Sequence, residues 1–139
     1  MVSLFDILGP VMVGPSSSHT AGACRLGLMA RAILGGTPEH ALIRLHGSFA
    51  ATGEGHGTNR AIVGGLIGLP PDDMRLRDAF GEATAAGLTW EFENVELGEE
   101  AHPNTAIVTL KRGADEVIVR GASIGGGRVE VSQIDDFPV

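Results

Sequence analysis

Thr105-Ala106-Ile107-Val108-Thr109-Leu110 is the stretch on which the fold turns. Ala106, Val108 and Leu110 alternate with Thr105, Ile107 and Thr109. A period of two sends successive side chains to opposite faces of a strand. Downstream, Gly113-Ala114-Asp115 reads as a hairpin turn into Val117 and Val119, and Gly125-Gly126-Gly127 leads to Val129 and Val131. Upstream, Leu88, Trp90 and Phe92 alternate with Thr89, Glu91 and Glu93. The last third of the chain is therefore a series of strands joined by short turns, the pattern of antiparallel neighbours.

The first two thirds carry the helical period. A helix is expected from about Thr20 to Leu34, with Ala21, Cys24, Leu28 and Ala32 on one face and Met29 and Ile33 widening it. Arg25 and Arg31 fall outside that face, and Gly35-Gly36 stops the helix. Ala41 to Ser48 alternates as a half-buried strand. The twelve residues from Gly47 to Thr58 hold four glycines, which suggests a functional loop or a broken helix start. Asn59 to Leu69 reads as a short helix. Pro70-Pro71-Asp72-Asp73 ends it and caps a further helix, about Met74 to Ala86, with Gly87 beyond. Helices early and strands late predict an α+β fold, with a mixed, largely antiparallel sheet packed with helices in one domain, 1–139.

Composition narrows the chemistry. The 139 residues carry 10 Lys plus Arg against 17 Asp plus Glu, a formal charge of -7, which makes a poor nucleic-acid binder. The single cysteine, Cys24, excludes an internal disulfide framework, a Cys-rich metal site and a self-contained iron–sulfur cluster. No apolar run approaches the roughly 20 residues of a membrane span. Residues 1–8 have no basic residue before their apolar stretch and include Asp6, so they do not read as a secretory signal. The expected compartment is the cytoplasm. Walker-type phosphate loops are absent. Thr58 stands where a dinucleotide fingerprint needs glycine. The sole lysine, Lys111, sits in an expected strand beside Arg112 with no phosphate loop, so pyridoxal chemistry is rejected. No histidines pair at i, i+4, and no metal site is expected in this chain.

Three segments remain. Gly14-Pro15-Ser16-Ser17-Ser18-His19-Thr20 places hydroxyls and an imidazole before a helix. Unpaired N–H groups and a partial positive charge at a helix start suit a carboxylate or phosphate, although Ser-rich helix starts also serve as ordinary caps. His56, flanked by Gly55 and Gly57, has no bulky sequence neighbours. Imidazole is matched to proton transfer near neutral pH; the plain alternative is an exposed loop histidine. His102-Pro103-Asn104 precedes a strand and reads as an entry turn. His40 and His46 look structural or solvent-facing. Glu99-Glu100 and Asp135-Asp136 are taken as solvated charge pairs.

Taken in order, Gly14 to Thr20, Gly47-Ser48, Thr52 to Thr58, His102-Pro103-Asn104 and Ser123-Ile124-Gly125-Gly126-Gly127 resemble the beta chain, or beta domain, of iron–sulfur-dependent bacterial L-serine dehydratase. The likeness runs along essentially the whole chain. The Gly-Pro-Ser-Ser-Ser-His-Thr string is its most specific part. The resemblance implies a lyase that converts L-serine to pyruvate and ammonia. It places a 4Fe-4S cluster on a partner alpha chain and not on this one. It also implies a fold similar to the allosteric substrate-binding domain of phosphoglycerate dehydrogenases, and a homo-oligomer of the beta domain. A C-terminal ACT domain, frequent in two-chain members, would begin about where this sequence stops.

Under that resemblance His56 is the base and His19 a second catalytic residue. Ser16, Ser17, Ser18 and Thr20 bind the substrate carboxylate, and Ser48 and Asn104 make polar contacts. One departure stands out: many relatives carry a second histidine where this chain has Gly57. The rival reading is a non-catalytic allosteric domain that binds serine or another anion; a lesser one is an oligomerisation domain.

Overall fold

The computed structural model describes residues 18–53, 57–135 and 137–138. Among them the order is α1 (Ser18–Leu34), β1 (His40–His46), α2 (Gly47–Gly53), α3 (Gly57–Leu66), a 3-10 turn (Met74–Asp78) and α4 (Ala79–Ala85), followed by β2 (Thr89–Val95), β3 (Thr105–Arg112), β4 (Asp115–Gly125), β5 (Arg128–Ile134) and a two-residue β6 (Phe137–Pro138). The strands form one sheet in the order β2-β1-β3-β4-β5-β6. β1 and β2 are parallel, joined through the helices between them, and each other neighbouring pair is antiparallel. This is the mixed, largely antiparallel α+β arrangement expected from the sequence.

Alternation decides which face of the sheet is buried. Ala41, Ile43 and Leu45, Ala106, Val108 and Leu110, Val117 and Val119, and Val129 and Val131 are all buried against the helices. Leu42 and Arg44 on β1 and Ile107 and Thr109 on β3 are only half-buried. α1 and α3 pack against each other, and α1 also lies on β4.

The two helices come close because glycines face each other. A Cβ added at Gly65 would overlap the Cys24 carbonyl oxygen, and one at Gly27 would overlap the Ile62 carbonyl oxygen. The residues from Ala21 to Gly27 are consequently buried without a break. This corrects the expected face of α1. Arg25, placed outside the apolar stripe by spacing, is 1% exposed, while Ala32, placed on the stripe, is exposed. The helix is enclosed by α3 on one side and the sheet on another for its first turns, so no solvent face exists there.

Helix ends follow local chemistry. The Gly35 N–H donates to the Arg31 carbonyl at 3.0 Å with Gly35 at φ +100, a left-handed stop. α3 begins two residues before the expected Asn59 and ends three before Leu69, where the Leu69 N–H folds back to the Gly64 carbonyl at 2.9 Å. β1 stops at His46, short of Ser48, because Gly47 turns the chain at φ +61 and opens α2. The helix expected from Met74 to Ala86 is split. Asp73 caps its start by accepting from the Arg75 N–H at 2.8 Å, but Asp78, at φ -120 and ψ 40, breaks the helical run into a 3-10 turn and α4.

Candidate functional site

The chemistry-bearing segments come from distant parts of the chain, and the topology gathers them at one end of the sheet. β1 finishes there, β3 starts there, β4 finishes and β5 starts, and α1 and α3 both begin beside it. Thr20, in the first turn of α1, faces Gly57, the first residue of α3. A Cβ at Gly57 would stand 3.2 Å from Thr20 Oγ1. Two residues along, Gly22 lies so close to Ser123 of β4 that a Cβ there would overlap its hydroxyl. The Ser123 N–H donates to the Asn104 carbonyl at 3.0 Å, and the Ser48 N–H donates to the Pro103 carbonyl at 2.7 Å. Arg25 Nη1 donates to the Gly127 carbonyl at 2.9 Å. Residues 20–25, 47–48, 57, 103–104 and 123–127 are thus tied into a continuous ring of contacts.

The predicted site residues fall in three groups. Ser16, Ser17 and His56 lie outside the described residues. Ser18 and His19 form the first residues of α1, but their side chains lie outside what is described. Thr20, Ser48 and Asn104 are half-buried members of the ring. The chain neighbour of His56, Gly57, is also in it.

The electrostatics of this end favour an anion. α1 has 17 residues and no acidic side chain in its first turn, and α3 likewise has none. The partial positive charges of both helix starts are therefore not offset by acidic residues of those turns. The Arg25 guanidinium adds a full charge one turn further in. Burial pushes its pKa below the ordinary arginine value, yet arginine remains protonated at neutral pH.

Other titratable groups here are structural. Cys24 is fully buried, its thiol donates to the Leu69 carbonyl at 3.1 Å, and burial pushes its pKa up to about 12. It is a neutral core thiol rather than a ligand or nucleophile. His46 is buried and its Nδ1 accepts from the Leu97 N–H at 3.1 Å. His40 bridges Thr89 and Glu91, and His102 Nδ1 accepts from the Asn104 N–H at 3.0 Å.

The iron–sulfur cluster implied by the resemblance does not fit this chain. Such clusters take about three or four thiolates, and the single thiol is the inert Cys24. Among the described residues no group of three or more His, Cys, Asp or Glu is arranged to hold a metal ion.

Two residues escaped the sequence reading. Arg25 has no local signature of burial, because the groups that enclose it lie about a hundred positions away. Ser123 was visible only as the first residue of a glycine-rich string. A signal for both existed in the run Gly22 to Gly27, where glycines inside a helix mark close neighbours.

Fold and contacts together define a two-layer α+β domain that collects its polar motifs at two helix starts and one sheet end. The family model described as "Serine dehydratase beta chain" matches residues 3–89. The probable L-serine dehydratase beta chain of Bacillus subtilis is 47% identical over 135 residues, covering 97% of this chain and 61% of that protein. The L-serine dehydratase beta chain of Peptoniphilus asaccharolyticus is 43% identical over 139 residues, covering 99% of this chain and 62% of the relative. The L-serine dehydratase of Mycobacterium tuberculosis is 38% identical over 97 residues, covering 63% of this chain and 21% of the relative. The chain belongs to the serine dehydratase beta chain family. It spans about three fifths of the length of the two beta chains it matches. No helix among the described residues is long and apolar enough to cross a membrane.

Proposed function

We propose that this chain is the beta part of an L-serine ammonia-lyase that works together with an iron–sulfur alpha chain. The observation that carries this reading is the ring of contacts, which sets the first turn of α1 against the residue that follows His56. Thr20 and Gly57 belong to motifs more than thirty residues apart, and their contact supports a reading in which one substrate reaches both.

The reaction removes the α-proton and the β-hydroxyl of serine. The resulting enamine tautomerises to an imine, which water hydrolyses to pyruvate and ammonia. In this reading Ser16, Ser17, Ser18, His19 and Thr20 hold the substrate carboxylate at the start of α1, with Arg25 strengthening the positive potential behind them. Ser48 and Asn104 supply polar contacts from the sheet end. His56 takes the α-proton. Fixing the carboxylate aims that proton at the base, and orientation is itself a large part of such a rate enhancement. The cluster is assigned to the alpha chain, and no step is assigned to a metal held by this one.

The test is anaerobic co-expression with the alpha chain and a pyruvate assay with L-serine. His56→Ala lowers kcat by about 10²–10⁴-fold, the usual weight of a general base, while affinity for serine changes by no more than a few-fold. Turnover within a few-fold of the unmodified complex overturns the assignment of the base. A complex with no lyase activity overturns the function.

A further inference from the structure

The sheet has two edges, and they differ. β6 closes one with Phe137–Pro138 alone, and a proline has no N–H to offer a further strand. β2 forms the other. It is 7 residues long, holds no proline, and pairs only with β1 among the described residues. The Thr89 N–H donates to the Glu39 carbonyl at 3.0 Å, toward β1. Alternation therefore turns the backbone groups of Trp90, Phe92 and Asn94 the opposite way, toward the free edge. Such an edge is a template for an added strand.

The two faces of β2 say which strand it takes. On the helix side Trp90 and Phe92 share the face of their register partners, Ala41 and Ile43. A cleft of about 360 Å³ opens at the start of β2, lined by Thr84, Gly87, Leu88, Thr89 and Trp90. The Thr84 and Thr89 hydroxyls already donate to the Phe80 and Glu39 carbonyls, so the cleft suits an apolar side chain. On the other face Glu91 and Glu93 stand out with side chains 68% and 55% exposed. Their ion-pair partners, His40 and Arg44, lie on the β1 side. No lysine or arginine occurs between Arg77 and Lys111, and the loop after β2 adds Glu96, Glu99 and Glu100. A second copy of the chain does not match this edge. Antiparallel pairing about Phe92 sets Glu91 of each copy against Glu93 of the other, and like charges directly opposite destabilise a ladder.

We propose that β2 is a docking edge for an extended segment of another protein in which basic side chains alternate with apolar ones. The segment adds as a strand beside β2, its backbone bonded to that of Trp90, Phe92 and Asn94. An apolar side chain enters the cleft, and basic ones lie over Glu91 and Glu93. None of these residues belongs to the polar ring, so the docking edge does not depend on the serine reading.

The probe is a capped peptide as long as β2 in which arginine alternates with leucine. It is titrated into the full chain and followed by the fluorescence of Trp90, the single tryptophan. Binding is saturable, and amide exchange at Trp90, Phe92 and Asn94 slows at least about tenfold as the edge becomes paired. A peptide with glutamate in place of arginine, and an arginine peptide N-methylated on the side that faces β2, each bind at least about tenfold more weakly. Glu91→Gln combined with Glu93→Gln weakens binding several-fold and lessens its salt dependence. Thr84→Phe, which fills the cleft, also weakens it several-fold. Circular dichroism checks the fold of both variants.

No saturable binding, equal affinity for the arginine and glutamate peptides, full affinity of the N-methylated peptide, or binding that leaves the three amides unprotected overturns the proposal. So does protection of those amides in the chain alone, because its own residues or a second copy would then already fill the edge.

Discussion

Cys24 and Arg25 are adjacent in sequence, equally buried, and opposite in what burial does to them. The Cys24 thiol stays neutral when folded, with its pKa pushed from 9.0 to about 12. The unfolded thiol ionises first, so the folded state is unaffected below about pH 9 and loses stability as pH rises from there toward about 12. The slope is about 1.4 kcal/mol per pH unit. Urea midpoints measured at pH 8 and pH 10 should differ accordingly, and Cys24→Ala should flatten the alkaline decline. Iodoacetamide at pH 8 should leave the folded chain unmodified and label it fully in urea; equal labelling in both states would contradict a buried thiol. Arg25 anchors the turn between β4 and β5 through Gly127. Arg25→Ala should cost about 2–4 kcal/mol of stability and speed amide exchange selectively at 125–128. Sequence spacing put Arg25 on the solvent side because a charged residue is ordinarily exposed. Its carbonyl partner, Gly127, lies about a hundred positions away and left no local signal.

At the scale of elements, the contact between α1 and α3 decides the sign of a substitution that local rules would get wrong. Alanine in place of a helical glycine gains about 1 kcal/mol of helix propensity. At Gly65 the added Cβ meets the Cys24 carbonyl, a backbone atom that cannot swing aside. Gly65→Ala should therefore destabilise by about 1–3 kcal/mol, read from the urea midpoint; a stabilised variant would mean that the helices are not in close contact. Strands were the most legible elements. Alternation at Ala106, Val108 and Leu110 is a local pattern that one buried face imposes directly. α2 was ambiguous because glycines at positions 47, 53, 55 and 57 permit either a loop or a helix. The break at Asp78 lies inside a continuous helical spacing, so periodicity alone did not show it, although aspartate is a favoured N-cap residue.

For the whole molecule, a single buried cluster runs through α1, α3 and the sheet from Ala23 to Val131. Such a core should unfold in one step. Fluorescence of Trp90, which stacks on Phe80 at 5.3 Å, and far-UV circular dichroism should give coincident urea transitions; separated transitions would show that the β2 edge melts by itself. The sequence revealed the motifs of the site but not their assembly. Nothing in the spacing of Gly22, Asn104 and Ser123 says that they adjoin, because the pairing of β3 with β4 and the packing of α1 on β4 bring them together. The parallel pairing of β1 with β2 was equally hidden, since it depends on how the intervening helices carry the chain back across the sheet.

The polar ring has no part in the other end of the sheet. Its turns at Gly35, Gly87 and Gly113 point into open space, with nothing within 4 Å of where a Cβ would stand. A fluorophore or an inserted peptide grafted between Gly113 and Ala114 would grow away from the polar ring. That hairpin is accordingly the natural handle for tethering the chain to a surface or a reporter without touching the opposite sheet end.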